Sequence, residues 1–119
     1  MKAIIILGHG SRAEEANNSL YDVVEMVAGK IKLDLVGAAF LGHAQPNLET
    51  AISEMAAKGV NKITIVPLFL FQGIHMQEDI PRIVKQLEAK YQVTIALARH
   101  LGADSRVADI LVDRIQEVI

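Results

Sequence analysis

Four short apolar runs alternate along this chain with longer segments whose apolar residues recur at helical spacing. The runs lie at about residues 2–7, 33–40, 62–70 and 93–98. The segments that follow them repeat apolar side chains every three or four residues, which is the spacing of one helix face. Strands and helices in this alternation build a parallel sheet with helices on both faces. The pattern therefore predicts an α/β fold around a four-stranded sheet.

Residues with strong local preferences predict where the helices begin and end. We expect Pro46 and Pro81 each to lie in the first turn of a helix, where the missing N–H costs no hydrogen bond. Gly59 is expected to end the second helix, and Asp104 to cap the start of the last one. The last helix is expected to bury an apolar stripe, formed by Val107, Leu111, Ile115 and Val118.

The predicted strand order is 2-1-3-4, as in flavodoxin-like folds. Strands 1 and 3 are then neighbours across the point where the strand order reverses. Ligands of such sheets bind beyond the carboxyl ends of the strands at that point. His9 follows strand 1 and His75 follows strand 3. We therefore expect the two histidines to face each other and to serve a metal, a proton transfer or both.

Length and composition narrow the classes of function. A chain of 119 residues is expected to form a single domain over residues 1–119. A formal charge of −2 and a pI near 6.0 offer no basic surface for a nucleic acid. The absence of cysteine excludes disulfides and thiolate metal sites. No apolar run approaches the roughly 18 residues of a membrane span, so we expect a cytoplasmic protein without a membrane partner.

The chain is rich in apolar residues for its length. Hydrophobic residues make up 51% of it, and the mean hydropathy is +0.30. A small domain has little interior in which to bury such a surplus. We therefore expect a second copy of the chain to cover part of it, in a homodimer with closed twofold symmetry.

The loop after strand 1 combines glycines with groups that could contact a ligand. His9 lies between Gly8 and Gly10, and glycine allows a backbone to approach a ligand closely. Ser11 and Arg12 are expected at the start of the next helix. There they could bind an anion with the free N–H groups, or act only as a helix cap and a solvated arginine.

Other polar residues at the same predicted edge carry weaker signals. Glu78 and Asp79 fit a helix first turn better than a metal site. His43 is expected to be a surface residue, although a role as an extra ligand stays open. Arg99 and His100 could meet an anion or could form a solvated pair. Phe69 and Phe71 are expected in the core or in a pocket wall.

Two familiar motifs fit the first loop poorly. The spacing of Gly8, Gly10 and Ala13 matches a loose dinucleotide fingerprint, which expects an acidic residue at the end of strand 2. That strand ends in apolar residues 39–41, so we discount this interpretation. Histidine phosphatases place an arginine before the histidine, where this chain has Gly8. A phosphatase is thus the weakest enzyme alternative.

Several segments resemble those of sirohydrochlorin chelatases, which are class II tetrapyrrole chelatases. The segments are residues 8–12, 66–75, 78–82 and 101–106, followed by 113–114. They span nearly the whole chain and occur in the same order as in that family. The chain is most similar to the small single-domain form, which is described as cobalt/nickel chelatase. The resemblance implies a chelatase-like fold and a lyase of tetrapyrrole or cobalamin biosynthesis.

The resemblance also implies roles for individual residues. His9 would accept a proton and bind the metal, and His75 would be the second metal ligand. Gln45 would line the macrocycle together with residues 70–75, namely Leu70, Phe71, Gln72, Gly73, Ile74 and His75. The family often has acidic residues after strand 2, where this chain has Gly42 and Gln45. His43 could compensate for them.

The expected reaction inserts a divalent metal into sirohydrochlorin, with Co²⁺ the first choice and Ni²⁺ close behind. The metal would be a substrate, with no cofactor permanently bound. Because two pyrrole N–H protons must leave, a neutral imidazole suits the task, although one nitrogen cannot hold proton and metal together. The alternatives are an iron-inserting sirohaem enzyme and a non-catalytic metal- or tetrapyrrole-binding module.

Overall fold

The computed structural model describes residues 1–119, in which four strands alternate with four helices. The strands are β1 (Lys2–Gly8), β2 (Leu35–Phe40), β3 (Lys62–Pro67) and β4 (Thr94–Leu97). The helices are α1 (Glu14–Lys30), α2 (Leu48–Ala57), α3 (Ile74–Tyr91) and α4 (Ser105–Gln116). None of these helices combines the length and apolar character needed to cross a membrane.

All strands pair in parallel in a single sheet of order β2-β1-β3-β4. The predicted fold class and strand order are therefore confirmed. The register pairs Gly8 with Phe40 and Leu7 with Pro67. Because paired parallel strands end together, the loops after β2, β1 and β3 emerge side by side at one edge of the sheet.

The main core lies on the sheet face covered by α2 and α3. It contains a cluster of 17 buried residues, with Ile5, Ile52 and Ile65 fully inaccessible. The opposite face carries a cluster of only five buried residues, which includes Leu20 and Phe40. Parallel sheets normally have both faces covered by other elements. The smaller cluster indicates that the second face of this sheet is only partly covered.

Two helices begin at different positions from those predicted. Asn47 caps α2 by accepting a hydrogen bond from the Thr50 N–H at 2.8 Å. Pro46 therefore lies just before the helix instead of in its first turn. Pro81 lies inside α3, because Gln77 N–H already bonds to the Gly73 carbonyl at 3.1 Å and starts the helix upstream.

The prediction that α4 buries its apolar stripe is wrong for the isolated chain. No residue of α4 is buried: Leu111 and Ile115 are 58% and 53% exposed, and Val118, which lies beyond the end of the helix, is 83% exposed. Asp104 does cap this helix, as expected, by accepting from the Arg106 N–H at 2.9 Å. Periodicity correctly indicated a helix with one apolar face, but this chain alone supplies nothing for that face to pack against.

Candidate active site at the carboxyl edge of the sheet

A close contact between two loops fixes the backbone that carries His9. Gly42 N–H donates to the His9 carbonyl at 3.0 Å. Gly10 has φ +85°, and a Cβ atom placed on it would lie 1.7 Å from the Gly42 carbonyl oxygen. Only glycine fits such a position without movement of the backbone. The loop after β1 is thus held firmly against the loop after β2.

The His9 imidazole stacks on a core residue while remaining accessible. Its ring centroid lies 4.1 Å from that of Phe69, with the planes tilted by 33°. Phe69 is 3% exposed, as expected for a residue of the core or pocket wall. The side chain of His9 is exposed. The fold therefore supports the ring from one side and leaves the residue open to a ligand.

A cavity of about 330 Å³ lies beside His9. It is bounded by the loop after β1, by the first half of α1 and by apolar side chains. The lining residues are Gly8, His9, Gly10, Ser11, Ala16, Asn17, Ser19, Leu20, Val23, Phe40 and Leu68. Of the residues predicted to contact a ligand, the cavity therefore brings together His9 and Ser11.

Ser11 is tied to α1 by hydrogen bonds within the chain. Its N–H donates to Asn17 Oδ1 at 3.0 Å, and Asn17 Nδ2 donates to the Ser11 carbonyl at 2.8 Å. The Ser11 hydroxyl accepts from Ala13 N–H at 3.0 Å. Sequence reasoning missed Asn17, because a contact between the loop at Ser11 and a residue inside α1 leaves no recognisable spacing.

Arg12 is exposed and lies before α1, which begins at Glu14. The first turn of this helix carries Glu14 and Glu15. Carboxylates there compete with an external anion for the positive end of the helix. The Ser11 N–H is already occupied by Asn17. An anionic ligand would thus depend on the Arg12 side chain more than on the free backbone of α1.

His75 belongs to the first turn of α3, not to a loop as expected. The helix begins at Ile74, with Gly73 as its N-cap. The His75 side chain is exposed. Because β3 lies next to β1 in the sheet, the segments bearing His75 and His9 leave neighbouring strands at the same edge.

Large apolar side chains are exposed between β3 and the start of α3. Leu70, Phe71 and Ile74 are 47%, 76% and 72% exposed, and Leu101 from the loop between β4 and α4 is 43% exposed. Phe71 therefore lies outside the core. Exposed apolar groups that cluster at a ligand-binding edge indicate a surface that a ligand or partner covers. Three of the six residues in the segment predicted to contact the macrocycle, residues 70–75, have this character.

Gln45 is occupied by contacts near the start of α2. Its Oε1 accepts from Asn47 N–H at 3.0 Å, and its carbonyl accepts from the Tyr21 hydroxyl at 3.4 Å. Gln45 does not line the cavity beside His9. His43 is exposed and has φ 62°. This segment lies beside the His9 loop, yet the Gln45 side chain already accepts a hydrogen bond from the Asn47 backbone.

A second cavity of about 330 Å³ lies between the start of α3 and the end of β4 with the residues that follow it. Gln72, Arg99 and His100 line part of it. The backbone holds this region in place, since Gly102 N–H donates to the Leu70 carbonyl at 2.9 Å. Arg99 and His100 therefore lie near residues 70–75, while His9 borders a different cavity.

Two ion pairs that lie away from the candidate site lower the pKa values of their acidic residues. Hydrogen bonds from Lys90 and then from Tyr91 lower the pKa of Glu49, joining α2 to the end of α3. A forked contact from Arg106 lowers the pKa of Asp104 at the start of α4. Both pairs lie at the surface, so their role is to connect and cap helices.

No group of three or more His, Cys, Asp or Glu side chains is arranged to hold a metal ion. His9, which directly follows β1, and His75, in the first turn of α3 eight residues after β3 ends, remain the candidate metal ligands. Imidazole suits divalent cobalt and nickel among other transition metals. A metal held by two histidines would take its remaining ligands from water or from the atoms of a substrate.

Comparison with known proteins places the chain in a family. The CbiX family model matches residues 3–118. A sirohydrochlorin cobaltochelatase from Methanosarcina acetivorans is 34% identical over 98% of this chain and 95% of its own. A sirohydrochlorin ferrochelatase from Priestia megaterium is 31% identical, over 98% of this chain and 44% of its own.

Solved structures agree with this placement. A CbiX protein from Marinobacter aquaeolei has a TM-score of 0.85 and 32% identity, over 98% of this chain and 96% of its own. The sirohydrochlorin chelatase SirB from Bacillus subtilis subspecies spizizenii, in complex with cobalt, has a TM-score of 0.89 and 25% identity. That match covers 98% of this chain and 50% of the SirB chain. The chain therefore belongs to the CbiX family.

Proposed function

We propose that this protein is a sirohydrochlorin cobaltochelatase, a lyase that inserts Co²⁺ into the sirohydrochlorin macrocycle. The similarity to the Methanosarcina enzyme over nearly the full length of both chains supports this activity. The structural observation that carries it is the accessible His9 imidazole on a rigid loop, at the sheet edge where Leu70, Phe71 and Ile74 are exposed. An imidazole beside an open apolar surface suits a flat ring that must lose protons and gain a metal.

The proposed chemistry divides proton removal and metal binding between two histidines. Metallation replaces two pyrrole N–H protons with one divalent ion, so the imidazole that accepts the first proton must pass it to water before it accepts the second. Neutral His9 accepts a proton or binds the metal, and His75 acts as the second metal ligand. One nitrogen cannot do both at once, so the second histidine allows the ion to be held while the ring is deprotonated.

The exposed patch formed by Leu70, Phe71 and Ile74 is proposed to cover one face of the macrocycle, with Gln72 and Gly73 between them in the chain. An apolar wall with a few polar groups is typical of sites for large flat ligands. Gln45 and Ser11 are proposed at the margin, and Arg12 as a partner of a substrate carboxylate. The contacts that Gln45 and Ser11 already make leave Arg12 the least encumbered of these polar groups.

The finer assignments are proposals as well. Ni²⁺ is proposed as a second metal substrate, and we propose that no cofactor is permanently bound. We propose that residues 1–119 work as one chelatase domain, that two copies pair as a homodimer, and that the protein acts in the cytoplasm. Similarity to the Priestia ferrochelatase makes Fe²⁺ the metal to compare directly with Co²⁺.

The test follows sirohydrochlorin absorbance with Co²⁺, Ni²⁺ and Fe²⁺ in parallel, with and without protein. The proposal expects Co²⁺ insertion to run well above the spontaneous rate with multiple turnovers. A tetrapyrrole- or metal-binding module would instead change the spectrum once, in proportion to protein, without raising the rate. That outcome would exclude the enzyme.

Two substitutions of His9 separate its chemistry from its packing. His9→Ala removes the ring, whereas His9→Phe retains an aromatic ring to stack on Phe69 but has no nitrogen. Both are expected to reduce cobalt insertion to the spontaneous rate. Because His9 is exposed, neither should cause a large fall in Tm. Near-normal activity of His9→Phe would remove the imidazole nitrogens from the mechanism.

A further inference from the structure

The cavity between the start of α3 and the end of β4, which we call the Arg99 cavity, is lined by neither candidate metal ligand. It has a volume of about 330 Å³, and no Asp or Glu side chain lines it. Its apolar lining includes Met76, Pro81 and Leu97, and its polar lining includes Arg99 and His100. A cavity that joins apolar surface to a cation suits a carboxylate carried on a short chain of methylene groups.

Arg99 has no carboxylate partner, unlike most arginines of this chain. The chain has five arginines, and three of them form ion pairs: Arg82 with Asp79, Arg106 with Asp104, and Arg114 with Glu117. Asp104 lies within electrostatic reach of Arg99, but a fork from Arg106 already binds its two oxygens at 2.8 and 2.7 Å. The exposed Arg99 guanidinium therefore carries a charge for which the chain supplies no ion-pair partner.

The other arginine without an ion pair, Arg12, lies at the same edge of the sheet. In the order β2-β1-β3-β4, β3 lies between β1 and β4. Arg12 follows β1, residues 70–75 follow β3, and Arg99 follows β4. The two unpaired arginines thus follow the strands on either side of the strand that leads to the exposed apolar patch. This arrangement fits a flat ligand that carries anionic groups at opposite margins.

The backbone holds the Arg99 segment beside the residues proposed to cover the macrocycle. Gly102 N–H donates to the Leu70 carbonyl at 2.9 Å. Gln72, which belongs to the proposed macrocycle surface, also lines the Arg99 cavity. The Gln72 carbonyl accepts from Gln77 Nε2 at 3.0 Å, whereas the Gln72 side-chain amide makes no hydrogen bond within the chain. A ligand on the apolar patch therefore adjoins the Arg99 cavity through Gln72.

We infer that the Arg99 cavity binds one peripheral carboxylate of sirohydrochlorin, with Arg99 as its ionic partner. This rests on the proposed function and names a second margin at which the substrate is held. The planar guanidinium binds a carboxylate through two parallel hydrogen bonds, which a point charge cannot do. The side chains of Gln72 and His100 supply further donors, and Met76 and Leu97 contact the methylene groups of the same arm.

Two anchored margins would fix the rotation of the ring above the metal ligands. A flat macrocycle on an apolar patch alone is free to turn in its own plane. One carboxylate held by Arg12 and another held by Arg99 remove this freedom. The pyrrole nitrogens are then presented to His9 and His75 in one orientation. Arg99 is thus a substrate-binding residue that takes no part in proton transfer.

Substitutions that change the charge of Arg99 test the inference. Arg99→Gln removes the cation, and we expect it to raise the KM for sirohydrochlorin about tenfold or more, while kcat changes by at most about twofold. Arg99→Lys keeps the charge without the fork and should recover part of the loss. Lys85→Gln removes one exposed positive charge from α3 outside the cavity. It is the matched control and should leave the KM unchanged.

An equilibrium titration with metal-free sirohydrochlorin measures binding without metal insertion. We expect Arg99→Gln to raise this Kd by the same factor as the KM, and to leave the affinity for Co²⁺ alone unchanged. His100→Gln should have a smaller effect, and adding it to Arg99→Gln should cost less than the two single effects multiplied, because both side chains contact one carboxylate. A thermal melt of each variant separates binding from folding.

Other outcomes overturn the inference in distinguishable ways. A KM and a Kd that Arg99→Gln leaves unchanged would show that no substrate carboxylate enters the cavity. A lower kcat with an unchanged KM would place Arg99 in metal insertion instead of binding. A large fall in Tm that Arg99→Lys does not restore would make Arg99 a structural residue. If the unsubstituted protein binds sirohydrochlorin without accelerating insertion, the proposed activity fails, and the Kd comparison still decides the role of the cavity.

Discussion

His9 and His75 leave neighbouring strands, yet the two sides of the candidate site are built differently. His9 lies on a loop that Gly10 packs against Gly42, and its ring rests on buried Phe69. His75 lies on the first turn of α3, in a segment whose apolar side chains are largely exposed. The fold therefore fixes the His9 loop in place, whereas the segment beside His75 presents an exposed apolar surface that a ligand or partner could cover. Substitutions of the residues that support the His9 loop should therefore affect folding, whereas substitutions of the exposed apolar residues beside His75 should affect binding.

Two phenylalanines give the largest expected contrast. Phe69→Ala removes a ring that is 3% exposed and should lower the free energy of unfolding by about 3–5 kcal/mol. Phe71 is 76% exposed, so Phe71→Ala should change this free energy by no more than about 0.5 kcal/mol. Its expected effect is a higher KM for sirohydrochlorin. Urea denaturation and initial metallation rates measure the two quantities, and equal destabilisation by both substitutions would contradict the comparison.

Two glycines sharpen the same contrast at the level of the backbone. Gly10→Ala forces a Cβ against the Gly42 carbonyl at positive φ, and should cost more than about 1 kcal/mol of stability together with most of the activity. Gly73 has φ −72° and open space around its Cβ position, so Gly73→Ala should cost only the difference between glycine and alanine as an N-cap, about 0.5–1 kcal/mol. Thermal melts of both variants check this. A well-folded, fully active Gly10→Ala protein would show that the His9 loop is not rigidly held.

The smallest effect concerns the far end of α3, where Lys90 and Tyr91 bond to Glu49. The pKa of Glu49 is lowered from 4.5, so its stabilising contribution is present above that pH and is lost as pH falls through the lower, folded-state value. The pKa of Lys90 is raised from 10.5, so its contribution is lost only as pH rises through the higher, folded-state value.

Glu49→Gln is accordingly expected to lower Tm slightly at neutral pH, because exposed ion pairs contribute little. The difference from the unsubstituted protein should shrink as pH falls below 4.5 and through the lower, folded-state pKa of Glu49. Melting curves from pH 3 to 8 measure it, with Glu54→Gln on the same helix as a control. A difference that grows in acid would show that the carboxylate does not stabilise α3.

The sequence predicted the scaffold better than the local detail. Alternating strands and helices leave few possible topologies, so the strand order and the common edge for His9 and His75 could be inferred. The start of α3 could not, because Pro81 resembles a helix start while the real first turn forms upstream at Gly73. The Asn17 contact with Ser11 depends on the path of an irregular loop, which no periodic pattern encodes.

The apolar stripe of α4 shows a different limit of sequence reasoning. Helical spacing identifies the face formed by residues such as Leu111 and Ile115, but not the surface that covers it. The expectation of burial assumed a partner within the chain, and the structure leaves the stripe exposed. The apolar surplus in the composition had already indicated a second copy.

The central claim is that His9 and His75 act on one and the same metal ion during insertion. The most direct test measures initial rates of Co²⁺ insertion into sirohydrochlorin for His9→Ala, His75→Ala and the double variant, each corrected for the spontaneous rate. Groups that work as a unit have non-additive effects. The account predicts that both single variants are severely slowed and that the double variant is no slower than the slower of them. Independent effects that multiply, or near-normal activity of either single variant, would contradict it.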